Sequence, residues 1–419
     1  MRILHTSDWH LGQHFMGKSR EAEHRAFLQW LKVTVNEHRI DALIIAGDVF
    51  DTGTPPSYAR TLYNQFIVSL QQTCCRQLVI VGGNHDSVST LNESRELLAF
   101  LNTTVVGGVS ETPDDEVVLL KNASDEPAVA LCAVPYIRPR DVLESRSGDS
   151  ESDKQLALQN AIASHYQTVF SKAAEHNLPV VATGHLTTVN GQLSESVREI
   201  YIGTLHAFPA SGFPPADYIA LGHLHKPQTV SGQEHVRYSG SPIPLSFDET
   251  ATAKQVVMVS FSDSPKPEIT EIPVPVFRPL LSIKGSLEAI EQQIKQVSTD
   301  SDLVPWLEIE VASDDYLSDV QSPVQDMVAD LPLEVLRIRR QRNTRSASLV
   351  REARETLEEL DVSDVFKKRL EDEPLEDDRV QSLTRAFNEV LDAIHHHLSD
   401  DLNDDTNDGK PVSEEEVAQ

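Results

Sequence analysis

Short apolar runs bounded by Gly, Asp or Pro recur at intervals through the first half of this 419-residue chain, and they constrain its fold more than any other feature. They fall at 2–6 (RILHT), 42–46 (ALIIA), 78–82 (LVIVG), 128–134 (AVALCAV), 179–183 (PVVAT) and 218–221 (YIAL). Runs this short, β-branched and uninterrupted are what strands buried on both faces require. Helical patterns lie between them at 20–37, 57–72 and 90–101, and Pro55–Pro56–Ser57 opens the second in a manner suited to a helix N-terminus. Further strands near 236–239, 255–261 and 268–271 read as an antiparallel continuation. The order predicts an α/β sandwich, with helices outside two packed sheets.

A Pro-rich stretch at 272–280 (IPVPVFRPL) interrupts that pattern and marks a boundary, giving a first domain over 1–275. Residues 279–342 then read strand, helix, strand, helix, strand, a small α+β module. From 347 to 397 the chain is helical and charged, with apolar residues at helical spacing but little core of its own, which suits docking onto a partner. Residues 401–419 carry seven acidic side chains and one Lys and read as a disordered, solvated tail.

Hydrophobic residues at 39% and charged residues at 24% support a real core. Three cysteines, two of them adjacent, make neither a disulfide framework nor a zinc motif. The N-terminus lacks a signal-peptide pattern, and no run approaches the roughly 18–20 apolar residues of a membrane span, so a soluble, cytoplasmic protein is expected. A net charge of −29 opposes phosphate binding over the general surface. Part of it resides in the tail, and bound divalent cations would supply positive charge where a phosphate must sit.

Five motifs follow apolar runs: Ser7–Asp8–Trp9–His10, Gly47–Asp48–Val49–Phe50–Asp51, Gly83–Asn84–His85–Asp86, Gly184–His185 and Gly222–His223–Leu224–His225. Open α/β sheets place their sites at such strand ends. Asp, Asn and His offer the oxygen and nitrogen ligands suited to Mn²⁺, Mg²⁺, Fe²⁺ or Zn²⁺. Taken singly, an Asp or His there is commonly a turn residue or a helix cap. His5 reads as a satisfied core residue, His14, His24, His38, His165, His176, His206 and His235 as surface or structural, and His395–His396–His397 as a solvated helix end.

In this order the five motifs resemble the calcineurin-like metallophosphoesterase family, over residues 1 to about 275. The resemblance implies an αββα sandwich holding two divalent metals bridged by Asp48. One would take Asp8, His10 and His225, the other Asn84, His185 and His223. His85 would act in catalysis by protonating the leaving oxygen, with Asp86 orienting it. Thr52 after Asp51, and the ending of the third motif in Asp86, differ from the wording usual in the family's protein phosphatases.

Long stretches without ligands, such as GDVFDTGTPPSYARTLYNQF, GGNHDSVSTLNESRELLAFLNTTVV and VRYSGSPIPLSFDE, are similar to one bacterial branch of the family, the DNA nuclease subunits. That similarity implies exonuclease and endonuclease action on double-stranded DNA ends and hairpins, typically supported by Mn²⁺. It implies an SMC-like ATPase partner, two copies of each subunit, and pairing of two copies of this chain through helices near 57–72 and 88–102. Residues 279–342 would form a capping domain and 347–397 the dock for the partner. Arg337, Arg339, Arg340, Arg342 and Arg345 are then the expected contacts to DNA or partner. Several relatives carry His where this chain has Asp51, so the carboxylate here is expected to position metal ligands or the following helix. A phosphatase or nucleotidase acting on a small molecule, and a non-enzymatic scaffold of the same fold, are the rival readings.

Overall fold

A computed structural model describes residues 1–143, 151–194, 196–197, 207–262, 264, 266–298, 301–312 and 320–340. The expectations placed on Arg342 and Arg345, His206, the 347–397 segment, His395–His397 and the 401–419 tail lie outside the described residues.

Two six-stranded sheets form the first 273 residues. The first contains β1 (Arg2–Thr6), β4 (Ala42–Ala46), β5 (Gln77–Val81), β6 (Thr103–Val106), β13 (Gln255–Ser260) and β14 (Glu268–Pro273), in the order β14-β13-β1-β4-β5-β6. The second contains β7 (Val117–Lys121), β8 (Pro127–Cys132), β9 (Val180–His185), β10 (Tyr218–Gly222), β11 (Gln228–Val230) and β12 (Gln233–Tyr238), in the order β11-β12-β10-β9-β8-β7. A small hairpin, β2 (His14–Phe15) with β3 (Lys18–Ser19), follows the first motif.

Strand alternation sorts each sheet into an inner and an outer face. Ile3, Ala42, Ile44, Val79, Val81 and Val257 meet Val129, Leu131, Val181 and Ala220 in one core between the sheets. The alternate residues, Leu4, Leu43, Ile45, Leu78 and Ile80, pack outward against α1 (Glu21–Glu37) and α2 (Ser57–Leu70). On the far side Ala130, Cys132, Ala182, Ile219 and Leu221 pack against α6 (Glu151–Ala174). Each sheet is therefore buried on both faces, and the whole is an αββα sandwich.

Three details differ from expectation. The helix expected over 90–101 is two short ones, α3 (Val88–Asn92) and α4 (Arg95–Ala99), and Asn92 at the end of the first accepts from the Gly107 N–H at 3.3 Å. The strand expected near 236–239 as part of an antiparallel continuation has an antiparallel neighbour on one side only. A tight turn with positive φ at Ser231 and Gly232 pairs β12 antiparallel with β11, and β12 then joins the second sheet parallel to β10. Strand β6 falls in a stretch with no long apolar run and β7 in the four-residue run Val117–Leu120, neither of them among the expected strands.

After α5 (Pro139–Val142) and the sandwich comes a three-stranded parallel sheet of β15 (Leu280–Gly285), β16 (Trp306–Val311) and β17 (Glu334–Arg340), covered by α7 (Leu287–Lys295) and α8 (Gln321–Val328). It meets the sandwich through Phe15, Phe247, Leu280 and Trp306. The Trp306 ring has the Arg278 guanidinium 4.2 Å from its centroid and the Arg20 guanidinium at 5.6 Å, and Glu23 accepts from Arg20 Nε at 2.8 Å and forms an ion pair with Arg278 at 3.0 Å.

Candidate metal centre

The five motifs converge at the C-terminal ends of β1, β4, β5, β9 and β10. Asp8, His10, Asp48 and His223 all have positive φ, at 55°, 46°, 50° and 97°. Side chains other than Gly rarely adopt that backbone, and such strain gathers where function demands it. Hydrogen bonds hold it in place. Asp8 N–H donates to Gly47 O and His10 N–H to Asp48 O, both at 3.0 Å, and His223 N–H donates to Asp8 Oδ1 at 2.9 Å. The glycines supply clearance. A Cβ on Gly222 would overlap the Ala46 carbonyl, and one on Gly47 would overlap the His185 ring.

Two buried clusters result, Asp8–His10–His225 and Asp48–His185–His223, each with its ligand atoms within 4.8 Å of one another. Asn84 Oδ1 lies 2.9 Å from His185 Nε2 and 3.1 Å from His223 Nδ1, so it belongs with the second cluster. Asp48 Oδ2 lies between the two, 3.2 Å from His185 Nε2 and 3.6 Å from His10 Nε2.

Each ring is turned by a partner on its far side. His185 Nδ1–H donates to Ala46 O at 3.0 Å, which leaves Nε2 for the site. His10 Nδ1 pairs with Asp51 Oδ1 at 3.1 Å, so the carboxylate at position 51 does contact a member of the first cluster. His225 Nδ1 is held by Ser196 Oγ at 2.6 Å and faces Glu249 Oε1 at 3.3 Å. Such carboxylate–histidine pairs orient the ring and strengthen it as a donor toward a metal.

Two of the inward-facing atoms, His10 Nε2 and Asp48 Oδ2, are buried without a hydrogen-bond partner, as is His223 Nε2 on the ring whose Nδ1 faces Asn84. Leaving such atoms unmet costs about 1–3 kcal/mol each. Burial would raise the Asp48 carboxyl, but neighbouring His185 holds it well below the usual carboxylate range. Burial opposes a charge on His185, yet Asp48 lifts its pKa to about 9. Burial and the neighbouring His185 push His223 well down, so it stays a neutral donor. Unmet carboxylate and imidazole atoms facing one another are a donor set for divalent cations.

The model of the calcineurin-like phosphoesterases matches residues 1–227, and that of the Type 5 capsule protein repressor C-terminal domain matches 276–373. The chain is 51% identical over 399 residues to the SbcD subunit of nuclease SbcCD from Escherichia coli K12, spanning 94% of this chain and 98% of that one. It is 38% identical to the SbcD subunit from Rhodobacter capsulatus, over 66% of this chain and 70% of that one. With the SbcD subunit from Bacillus subtilis the identity is 30%, over 76% and 81% of the two chains.

The chain belongs to the SbcD family of calcineurin-like phosphoesterases. It is thus a metal-dependent hydrolase of the nuclease-subunit type, and the seven side chains expected as ligands lie together in the two adjoining clusters.

The Asp86 carboxylate, expected to orient His85, accepts the N–H groups of Gly83, Val49 and Phe50 at 2.9, 3.1 and 2.9 Å. It staples the second motif to the third, and burial, with Asp48 nearby, raises its pKa to about 6. The His85 ring is held by the Asp51 main-chain carbonyl, 2.8 Å from Nδ1. His5 is bonded to Tyr218 Oη at 2.9 Å through Nδ1, while its Nε2 has no partner. His24 is buried with neither ring nitrogen hydrogen-bonded. Arg337 and Arg339 both converge on Glu308, and Arg337 also lies 5.6 Å from the Phe247 centroid.

Sequence reasoning missed Glu249 and Lys254. The only signal was a pair of opposite charges in a stretch that contains no ligand motif.

Proposed function

We propose that this chain is the nuclease subunit of an SbcCD-type complex, hydrolysing DNA phosphodiester bonds by exonucleolytic and endonucleolytic cutting at double-stranded ends and hairpins. The observation that supports this most is Asp48 Oδ2, which faces one histidine of each cluster at 3.2 and 3.6 Å. Asp8, His10 and His225 would hold one divalent cation, and Asn84, His185 and His223 the other, with Asp48 between them. Mn²⁺ suits this mixed set of carboxylate, amide and imidazole donors. A bound pair of cations supplies charge neutralisation at the phosphate and a water acidic enough to attack at neutral pH.

The chain's own residues do the rest. The Asp51 carbonyl holds one proton of His85 on Nδ1, so in the imidazolium form Nε2 carries the second proton and would hand that one to the leaving oxygen, leaving the ring neutral. The ring stands edge-on to His10, with centroids 4.7 Å apart, which sets it beside the first cluster. Asp86 keeps the two loops that carry Asp48 and His85 in register.

The partner in this reading is an SbcC-type SMC-like ATPase, with two copies of each subunit, acting in the cytoplasm on double-stranded DNA. Among the described residues no helix is long and apolar enough to cross a membrane. Helix α2 turns Leu62, Tyr63, Phe66, Ile67 and Leu70 into the core, so Val68, Leu97 and the 87% exposed Phe100 are left to make a homodimer face. Arg337, Arg339, Arg340 and Arg342 would contact DNA or partner, the first two in competition with Glu308.

The test is cleavage of a labelled hairpin-ended duplex with and without Mn²⁺, in the presence and absence of the ATPase partner and ATP. Cleavage that requires Mn²⁺ and is stimulated by the partner is expected. No DNA cleavage, alongside turnover of a simple phosphodiester, would overturn the nuclease reading in favour of a small-molecule phosphoesterase.

A further inference from the structure

Glu249 is fully buried behind the first cluster, in the turn that follows β12. Its Oε1 faces His225 Nδ1 at 3.3 Å and accepts from the hydroxyls of Ser194 at 2.9 Å, Ser246 at 3.2 Å and Ser196. Its Oε2 accepts from Lys254 Nζ at 2.6 Å, Leu245 N–H at 3.1 Å and Ser241 Oγ at 3.3 Å. Lys254 is itself buried and donates further to the His225 carbonyl at 2.9 Å and Ser241 Oγ at 2.8 Å.

A buried Glu–Lys pair is a costly way to fill space, since well-packed apolar side chains often serve stability as well or better. Here both charges are fully hydrogen-bonded, and both act on one residue. The carboxylate meets the His225 ring while the ammonium meets the His225 main chain, so ring and backbone are gripped together. The two clusters differ in this respect. His10 and His225, of the first, each have a carboxylate at Nδ1, from Asp51 and Glu249. His185, of the second, has only a main-chain carbonyl there.

We infer that Glu249, seated by Lys254, is the positioning residue for His225, and that it sets the affinity of the Asp8–His10–His225 cluster for its cation without touching the ion. This rests on the metal-centre reading proposed above. Glu249 fixes the ring so that the nitrogen away from Nδ1 faces Asp8 and His10, and its charge makes that nitrogen a stronger donor. The second cluster, built without Glu249, is left alone by its loss.

The experiment is calorimetric titration of the full chain with Mn²⁺, accompanied by melting temperature with and without the ion. Wild type is compared with Glu249→Gln and with Glu249→Gln/Lys254→Met, which removes both buried charges together, and folding is verified by circular dichroism. Glu116→Gln serves as the control. Glu116 is an equally buried carboxylate paired with His165 at 2.8 Å, ahead of the edge strand β7. Wild type should bind two Mn²⁺. Both Glu249 variants should lose about 10–100-fold in affinity for one ion and keep the other, while Glu116→Gln lowers the melting temperature and leaves both affinities intact. Unchanged Mn²⁺ affinities in the double variant, or an equal loss in Glu116→Gln, would overturn the inference alone. No Mn²⁺ binding by wild type would overturn the metal-centre reading and the inference with it.

Discussion

The Asp51 main-chain carbonyl lies 2.8 Å from His85 Nδ1, while the Asp51 carboxylate lies 3.1 Å from His10 Nδ1. One residue therefore turns both a candidate ligand and the candidate proton donor. A carbonyl can only accept, so the proton of His85 Nδ1 is fixed. The ring remains partly exposed at the edge of the centre, where a substrate oxygen can reach it.

His85→Ala removes that proton donor without removing a ligand. DNA hydrolysis should fall by about 10²–10⁴-fold, with metal content by elemental analysis and DNA binding unchanged. Loss of metal in this variant would contradict the assigned role.

Gly222→Ala places a methyl group against the Ala46 carbonyl, a main-chain atom that cannot rotate aside. The strands β4 and β10 carry Asp48 and His223 at their ends and must part locally. A destabilisation of about 1–3 kcal/mol is expected, measured by urea unfolding, with weakened Mn²⁺ binding by calorimetry. A variant of wild-type stability and affinity would contradict the close approach.

Trp306→Ala empties the cluster that joins the parallel-sheet module to the sandwich. Trp306 is buried, sits beside Arg278 and Arg20, and donates from its indole N–H to Glu334 at 2.8 Å. A loss of about 3–5 kcal/mol is expected, read from urea unfolding, along with faster proteolysis near 274–279. Two arginines and Glu23 are left facing a cavity, so little relief by collapse is available.

Stability should fall with acid before most carboxylates titrate. Burial lowers the pKa of His5 and of His24 from the ordinary 6.5 to about 3. Between those values the unfolded chain binds a proton at each position that the folded chain does not. Stability is therefore present above pH 6.5 and declines as pH falls toward 3, by at most about 1.4 kcal/mol per pH unit for each histidine. Urea midpoints between pH 7.5 and 5, taken with chelator so that metal release does not contribute, should show this slope. His5→Asn should reduce it. Asp86 and His185, whose pKa values are raised to about 6 and about 9, contribute with the opposite sign, so the difference between wild type and His5→Asn is the readout, and an identical slope in the two would contradict the burial assigned to His5.

The strand ends were legible because strands buried on both faces leave uninterrupted apolar runs, and the residue after each run is where a side chain can leave the sheet. Asp48 between the clusters was readable from the motif order. Asp86 was not, because its partners are main-chain N–H groups at Gly83, Val49 and Phe50, and backbone donors leave no trace in side-chain patterns. The same holds for the His85 ring, whose partner is a carbonyl. Glu249 was hidden for another reason. It acts on a ligand 24 positions away through a turn whose course only the folded chain shows. The break between α3 and α4 left no mark in the sequence, because the apolar spacing runs on through Asn92 as though one helix continued.

If Asp48 joins two cation sites, its loss must empty both, and elemental analysis of wild type and Asp48→Ala after exposure to Mn²⁺ and removal of free ion measures that. Two Mn²⁺ per wild-type chain, and loss of both in Asp48→Ala with the fold retained, is the predicted result. Two tightly held Mn²⁺ in Asp48→Ala would contradict it.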